Sequence, residues 1–201
     1  MKIIPTGRYC LKTWSKYLLL SFLAIALCFV IETLQFSPVT ALEIELATNW
    51  QQASFPVENF QGYTSGFGYR ISPSTGHREF HNGLDIAAPL GSYIRNWWGG
   101  QVVILSDQTS CGTQITIQSG DWQHTYCHLD GYVTATPQGR YLVDPQLGIT
   151  VTEGQYISTG ARIARVGMTG RTTGPHLHWG LKHGQQDIDP GVIIRAMYRN
   201  S

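Results

Sequence analysis

Hydrophobic and polar positions alternate along most of this chain with the two-residue period of half-buried β-strands. Gly112 to Gln118 alternates, Ser119-Gly120-Asp121 is a turn signal, and Trp122 to Leu129 alternates back, which predicts a hairpin. Ser92-Tyr93-Ile94, Gly99 to Leu105 and Ala161 to Val166 read as further strands. Another runs from His176 through Leu181, directly after the breaker Gly174-Pro175. Near the C-terminus Asp189 is a candidate N-cap and Pro190 suits a first helical position, so one short helix is expected to about Tyr198. The pattern is that of an all-β domain closed by a short helix, with no heptad run, repeat of solenoid length or low-complexity tract.

Composition fits this reading. With 201 residues the chain is long enough for one domain with a real core, and too short for two large ones. Charged residues are sparse at 13%, while 22 Gly, 6 Trp and 10 Tyr suit turns and strands.

The N-terminal segment reads differently. Lys2, Arg8, Lys12 and Lys16 precede an apolar run from Tyr17 to Ile31, closed by Glu32. At ~1.5 Å per residue the run is short for a ~30 Å hydrocarbon core. Basic residues, a short apolar stretch and then Val39-Thr40-Ala41 predict a secretory signal cleaved after Ala41, with an uncleaved membrane anchor as the alternative. Residues 1–41 are thus expected as signal or anchor, 42–58 as a linker or edge strand, and 59–201 as the folded domain. Either way the domain is expected outside the cytoplasm, in the periplasm or beyond the cell. Of the 14 Lys and Arg, four lie in this leader, and of the 13 Asp and Glu one does, which leaves about −2 on the remainder. That balance gives no footing to nucleic acid or to a polybasic membrane patch.

Two cysteines remain beyond the leader, Cys111 and Cys127, flanking the predicted hairpin. An even count in an oxidising compartment suits a disulfide. Counted back from the turn, the two come close but not into direct opposition, so a bulge or twist is needed. Zinc ligation by these thiols is the rival reading, but two cysteines without a third make a poor structural site.

The candidate chemistry lies in the histidines. On a strand, His176 and His178 point to one face while Leu177 turns to the other. His81 and Asp85 are four apart, and in a straight strand they would be ~13 Å apart, too far for one ion. If both bind one metal, the backbone must bend at Asn82-Gly83, a turn-favouring dipeptide; the other reading is a hairpin turn with an incidental His and Asp. By alternation, His124, Tyr126 and His128 share a strand face; His128 at the strand end is positioned to join the cluster, while His124 reads as solvated or structural. His183 reads as a turn residue, and Trp97-Trp98 as packing, with stacking on a sugar ring as the alternative. The less regular segment from Gly131 to Ile149 follows His128 directly, and its position predicts a groove-flanking loop.

Four stretches in order carry a resemblance: Gly68-Tyr-Arg-Ile-Ser-Pro73, His81-Asn-Gly-Leu-Asp-Ile-Ala-Ala-Pro89, Tyr126-Cys-His-Leu129, and Gly167-Met-Thr-Gly-Arg-Thr-Thr-Gly-Pro-His-Leu-His178. Together they resemble the M23 zinc metallopeptidases, the lysostaphin/LytM-type group of cell-wall endopeptidases. The resemblance implies an antiparallel β-sheet domain with zinc in a groove. It implies His81, Asp85 and His178 as zinc ligands, and His128 and His176 as catalytic histidines that do not bind the metal. Two imidazoles and one carboxylate would leave a tetrahedral zinc with one position for water, the pattern of a catalytic site. No H-E-x-x-H is present, so histidine must fill the proton-transfer role. The implied activity is hydrolysis of peptide cross-links in peptidoglycan. A non-catalytic peptidoglycan-binding or amidase-activating protein of the same fold is the alternative, disfavoured because all five positions are intact. Departures from the family pattern are Ser119 in place of a common His, Trp179-Gly180 in place of an aromatic-Glu pair, and the length of Gly131 to Ile149.

Overall fold

The structure, a computed structural model, describes residues 50–146 and 148–199. The expected signal or anchor over 1–41 lies outside the described residues, as does the first part of the 42–58 segment. Among the described residues no helix is long and apolar enough to cross a membrane.

The described residues form fifteen strands and one α-helix: β1 (Gly62–Ser65), β2 (Gly68–Ile71), β3 (Arg78–His81), β4 (Gly83–Ala87), β5 (Tyr93–Arg95), β6 (Gly100–Ser106), β7 (Gln114–Ser119), β8 (Trp122–Cys127), β9 (Tyr132–Thr136), β10 (Gly139–Asp144), β11 (Ile149–Thr152), β12 (Tyr156–Ile157), β13 (Arg162–Arg165), β14 (His176–His183), β15 (Gln186–Ile188) and α1 (Pro190–Met197). The main sheet runs β1-β4-β14-β8-β7-β6-β12, with β15 paired to the far end of β14. All its pairings are antiparallel, so the architecture is the expected all-β, antiparallel one with a short C-terminal helix. The helix begins as anticipated: the Asp189 carboxylate accepts the Gly191 N–H at 2.8 Å, and Pro190 takes the first helical position.

Strict alternation gives the sheet two distinct faces. On the inner face the cross-strand rows Leu84–Trp179–Tyr126–Ile115 and Leu181–His124–Ile117 are almost wholly buried. The outer face carries Asp85–His178–Cys127 in one row and Gly83–Gly180–Thr125 in the next. His124, on the inner face, is structural: it hydrogen-bonds Ser119 Oγ and Tyr126 Oη, each at 2.9 Å. Burial pushes its imidazole down to about 3, so it sits in the core as the neutral ring.

Part of the segment expected as a linker belongs to the packed domain. Trp50 is buried against Trp97, Trp98 and Trp122, and Val57 bridges to Ile94. Trp50 and Val57 stand in a polar stretch with no periodicity of their own, so only the tertiary partners reveal their burial. Trp97 is a packing residue, with no exposed surface.

The segment after His128 departs from expectation. In place of a groove-flanking loop, its residues fold with their successors into a three-stranded meander, β11-β10-β9. Leu142 and Val151 are buried, and the meander packs on β6 and β13. Asp144, fully buried, meets the Arg165 guanidinium, which also reaches Asp130 at 2.7 Å. Such a buried ion set tolerates desolvation only because each charge has partners.

Candidate metal centre and active site

The outer face of β4, β14 and β8 forms the floor of a groove of about 490 Å³. Its lining also takes in the β2–β3 hairpin and the loop before β14, which meet at the Arg171–Glu79 ion pair. The bend anticipated at Asn82-Gly83 is present. His81 ends β3, which pairs with β2, and Gly83 begins β4, which pairs with β14. This change of partner folds His81 back over the sheet, so that its Nε2 lies 3.0 Å from Asp85 Oδ1.

His178 stands opposite Asp85 in the β14–β4 register and completes the cluster. Its Nδ1 is 2.9 Å from Asp85 Oδ1 and 2.9 Å from His81 Nε2. The three atoms form a nearly equilateral triangle. His81 Nδ1 is 2.7 Å from the Gly66 carbonyl, which only accepts, so the proton of a neutral His81 sits on Nδ1 and Nε2 is a bare lone pair. With both rings neutral, at most one proton, on His178 Nδ1, serves three converging acceptor atoms. A cation resolves this arrangement. The triangle is slightly tighter than the ~3.3 Å edge of a tetrahedral site with ~2.0 Å ligand distances, so these three atoms would hold a small cation such as zinc. The His81–Gly66 bond is also the outer-shell bond that orients a metal-binding imidazole. The donor set therefore fits zinc.

Electrostatics agree. Burial opposes ionisation of Asp85, but the adjoining His178 and His81 imidazoles outweigh it and hold the carboxyl well below the usual carboxylate range. Burial pushes His178 down, against the pull of Asp85. Both groups thus tend toward the forms that bind a metal.

His176 and His128 flank the triangle without joining it. His176 shares the outer face of β14 with His178, as alternation requires; its Nδ1 is 2.8 Å from the Gly174 carbonyl and its Nε2 3.6 Å from Asp85 Oδ1. The rings of His128 and His176 are 4.8 Å apart.

His128 reaches the groove by a route that alternation does not supply. Continued as a strand, it would follow His124 and Tyr126 into the core. Instead β8 ends at Cys127, and His128 adopts a left-handed conformation, φ 61°, unusual for a residue with a side chain. The turn swings the imidazole onto the groove side. Three bonds hold it: His128 N–H to the Cys111 carbonyl at 2.8 Å, Nδ1–H to the Thr169 carbonyl at 2.9 Å, and Gly167 N–H to the His128 carbonyl at 2.9 Å. Burial pushes the imidazole down to about 4.

The Cys111–Cys127 disulfide is present, with Cα atoms 5.0 Å apart. In the β7–β8 register Cys127 would face Gln114, three residues from Cys111. Gly112, at φ 66°, turns the chain and brings Cys111 across, which is the irregularity the pairing needed.

Two residues in contact with the site were not singled out by sequence reasoning. Arg70 reaches Asp85 Oδ2 at 2.9 Å, and Glu79 pairs with Arg70 across the β2–β3 hairpin. Their signal is a cross-strand pairing, readable only once the register is known.

Known proteins similar to this chain point to one family. A family model described as Peptidase family M23 matches residues 79–190, more than half of the chain. Two peptidoglycan DD-endopeptidases of Vibrio cholerae, ShyA and ShyB, are 34% and 32% identical over 73% and 67% of this chain. The chain spans only 29% and 28% of their lengths. The crystal structure of a zinc-containing peptidase from Vibrio cholerae superposes with a TM-score of 0.55 at 31% identity, covering 71% of this chain and 38% of that one. The order of the four motifs, the fold they build and these likenesses together make the chain a member of peptidase family M23.

Proposed function

We propose that this domain is a zinc endopeptidase that hydrolyses peptide cross-links of peptidoglycan outside the cytoplasm, with His81, Asp85 and His178 as ligands. The observation that carries the reading is the convergence of three ligand atoms within 3.0 Å of one another, beside two histidines whose Nδ1 atoms are held by backbone carbonyls. When bound, zinc supplies Lewis-acid chemistry, lowering the pKa of a water and polarising a peptide carbonyl.

The rest is the work of the side chains. Thr169 and Gly174 hold the Nδ1 protons of His128 and His176, so both present Nε2 toward the reacting groups. His128 stays neutral at pH 7 because burial disfavours its charged form, and its Nε2 is the proton acceptor for the attacking water. The proton that His128 Nε2 takes up is the one that returns to the leaving amine, and His176, 4.8 Å away ring to ring, closes the other side of the space around the reacting groups. Gly180 on the groove floor leaves room for an extended peptide backbone above the sheet.

The test is digestion of purified sacculi with mass analysis of the soluble products. Peptide-cleaved fragments that disappear on chelation and return with zinc are expected. Binding to sacculi without fragments under any metal condition would favour the binding-module alternative.

A further inference from the structure

The acidic ligand has a dedicated partner on the groove wall. Asp85 divides its two oxygens: Oδ1 points into the ligand triangle, while Oδ2 accepts from Arg70 Nη1 at 2.9 Å. The same Nη1 also donates to Ser65 Oγ. The other edge of the guanidinium is anchored separately. Nε and Nη2 both donate to Glu79 Oε1, at 3.2 and 3.1 Å. Glu79 Oε2 in turn accepts from Arg171 at 3.0 Å. Arg70 and Glu79 are direct cross-strand neighbours on β2 and β3, so the hairpin register that folds His81 into the site also fixes this fork.

We infer that Arg70 is a positioning residue that confines Asp85 to one oxygen on the metal, keeping the zinc four-coordinate with one position open for chemistry. This rests on the reading above that Asp85 is a ligand. A carboxylate beside a cation binds through one oxygen or two, and the difference is small unless something occupies the second. Here the second oxygen is occupied by a charge-assisted bond from a planar guanidinium, which neither rotates freely nor loses its proton. With Oδ2 released, Asp85 can chelate the ion through both oxygens and fill the open position. Glu79 serves this purpose by aiming the fork, since it meets the arginine edge opposite Asp85. Outer-shell partners of metal ligands carry roughly 10–100-fold in metal affinity.

The experiment uses the full chain, loaded with zinc for affinity and with cobalt for spectroscopy. Arg70→Gln, Arg70→Lys and Glu79→Gln are compared with wild type, and Asp85→Ala is included as a control. Zinc affinity by chelator competition should fall about 10–100-fold in Arg70→Gln. Arg70→Lys, which keeps one cationic donor but not the fork, should recover part of it. The cobalt-loaded wild type should show the intense visible absorption of a four-coordinate site, and Arg70→Gln the weaker band of a five-coordinate one, with Glu79→Gln between. Unchanged affinity and an unchanged cobalt spectrum in Arg70→Gln would overturn the inference. Should that variant fail to fold, an unchanged spectrum in Glu79→Gln together with one in Arg70→Lys would do the same. If Asp85→Ala retains zinc at wild-type affinity, the ligand assignment itself is wrong, a failure distinct from that of Arg70.

Discussion

The imidazole of His178 lies directly over Gly83, its diagonal neighbour on β4. A Cβ placed at Gly83 would meet His178 Cε1 at 2.6 Å and Nε2 at 2.7 Å. The ring can approach His81 and Asp85 only because position 83 has no side chain. Gly83→Ala should therefore push His178 out of the triangle and lower zinc affinity by about tenfold or more. Gly180, facing Gly83 across the register, is the control, since a Cβ there would meet nothing closer than the Asn82 carbonyl at 3.4 Å. Chelator competition on Gly83→Ala and Gly180→Ala should separate them clearly; equal affinities would show that the ring adjusts.

The five site residues should divide by role. Alanine at His81, Asp85 or His178 should reduce zinc occupancy and activity together. Alanine at His128 or His176 should leave zinc and fold in place and reduce turnover by ~100-fold or more. Elemental analysis alongside hydrolysis of a cross-linked muropeptide gives both readouts. Loss of zinc in His176→Ala with retention in His178→Ala would reverse the assignment of the two β14 histidines.

Reduction of Cys111–Cys127 should act on both stability and His128. The bridge closes a loop of sequence separation 16, worth roughly 3 kcal/mol by the chain-entropy argument. For a domain of this size that corresponds to a fall in Tm of about 10 °C. Because the Cys111 carbonyl holds the His128 N–H, activity below the melting range should drop as well, with zinc content unchanged. Thermal scans and initial rates with and without dithiothreitol test this. A lower Tm with full activity would confine the disulfide to a stabilising role.

His124 should leave a signature in the pH dependence of stability. Its imidazole stays neutral in the fold down to about pH 3, whereas in the unfolded chain it protonates near ~6.5. Between those values the unfolded state binds more protons, so stability falls as pH drops below ~6.5, by up to about 1.4 kcal/mol per unit from this group. Urea melts of wild type and His124→Gln at several pH values between 7.5 and 5 should show a shallower slope for the variant. Parallel slopes would mean that the ring is hydrated or already charged in the fold.

The chain's own pattern determined the β architecture, because a two-residue period with turn residues at its breaks is a local property of strands. It also determined that His176 and His178 share a face with Leu177 turned inward, and that His81 and Asp85 can meet one ion only if the chain bends at Asn82-Gly83. The resemblance of the four motifs supplied the family and the division of the five residues into ligands and catalytic groups. Tertiary structure decided what depends on register and on departures from regular geometry. His128 enters the groove through a left-handed residue that alternation would have sent into the core. Cys111 meets Cys127 through the turn at Gly112, and Arg70 meets Asp85 only through the pairing of β2 with β3 and the fold-back at His81. Trp50 and Val57 are core residues in a stretch too short and too irregular to show a period. The segment after His128 became a meander on β6 and β13 because Leu142, Val151 and Asp144 find their partners there, and those partners are distant in sequence. Local periodicity records which face a residue prefers; which faces meet is set by contacts between segments far apart in the chain.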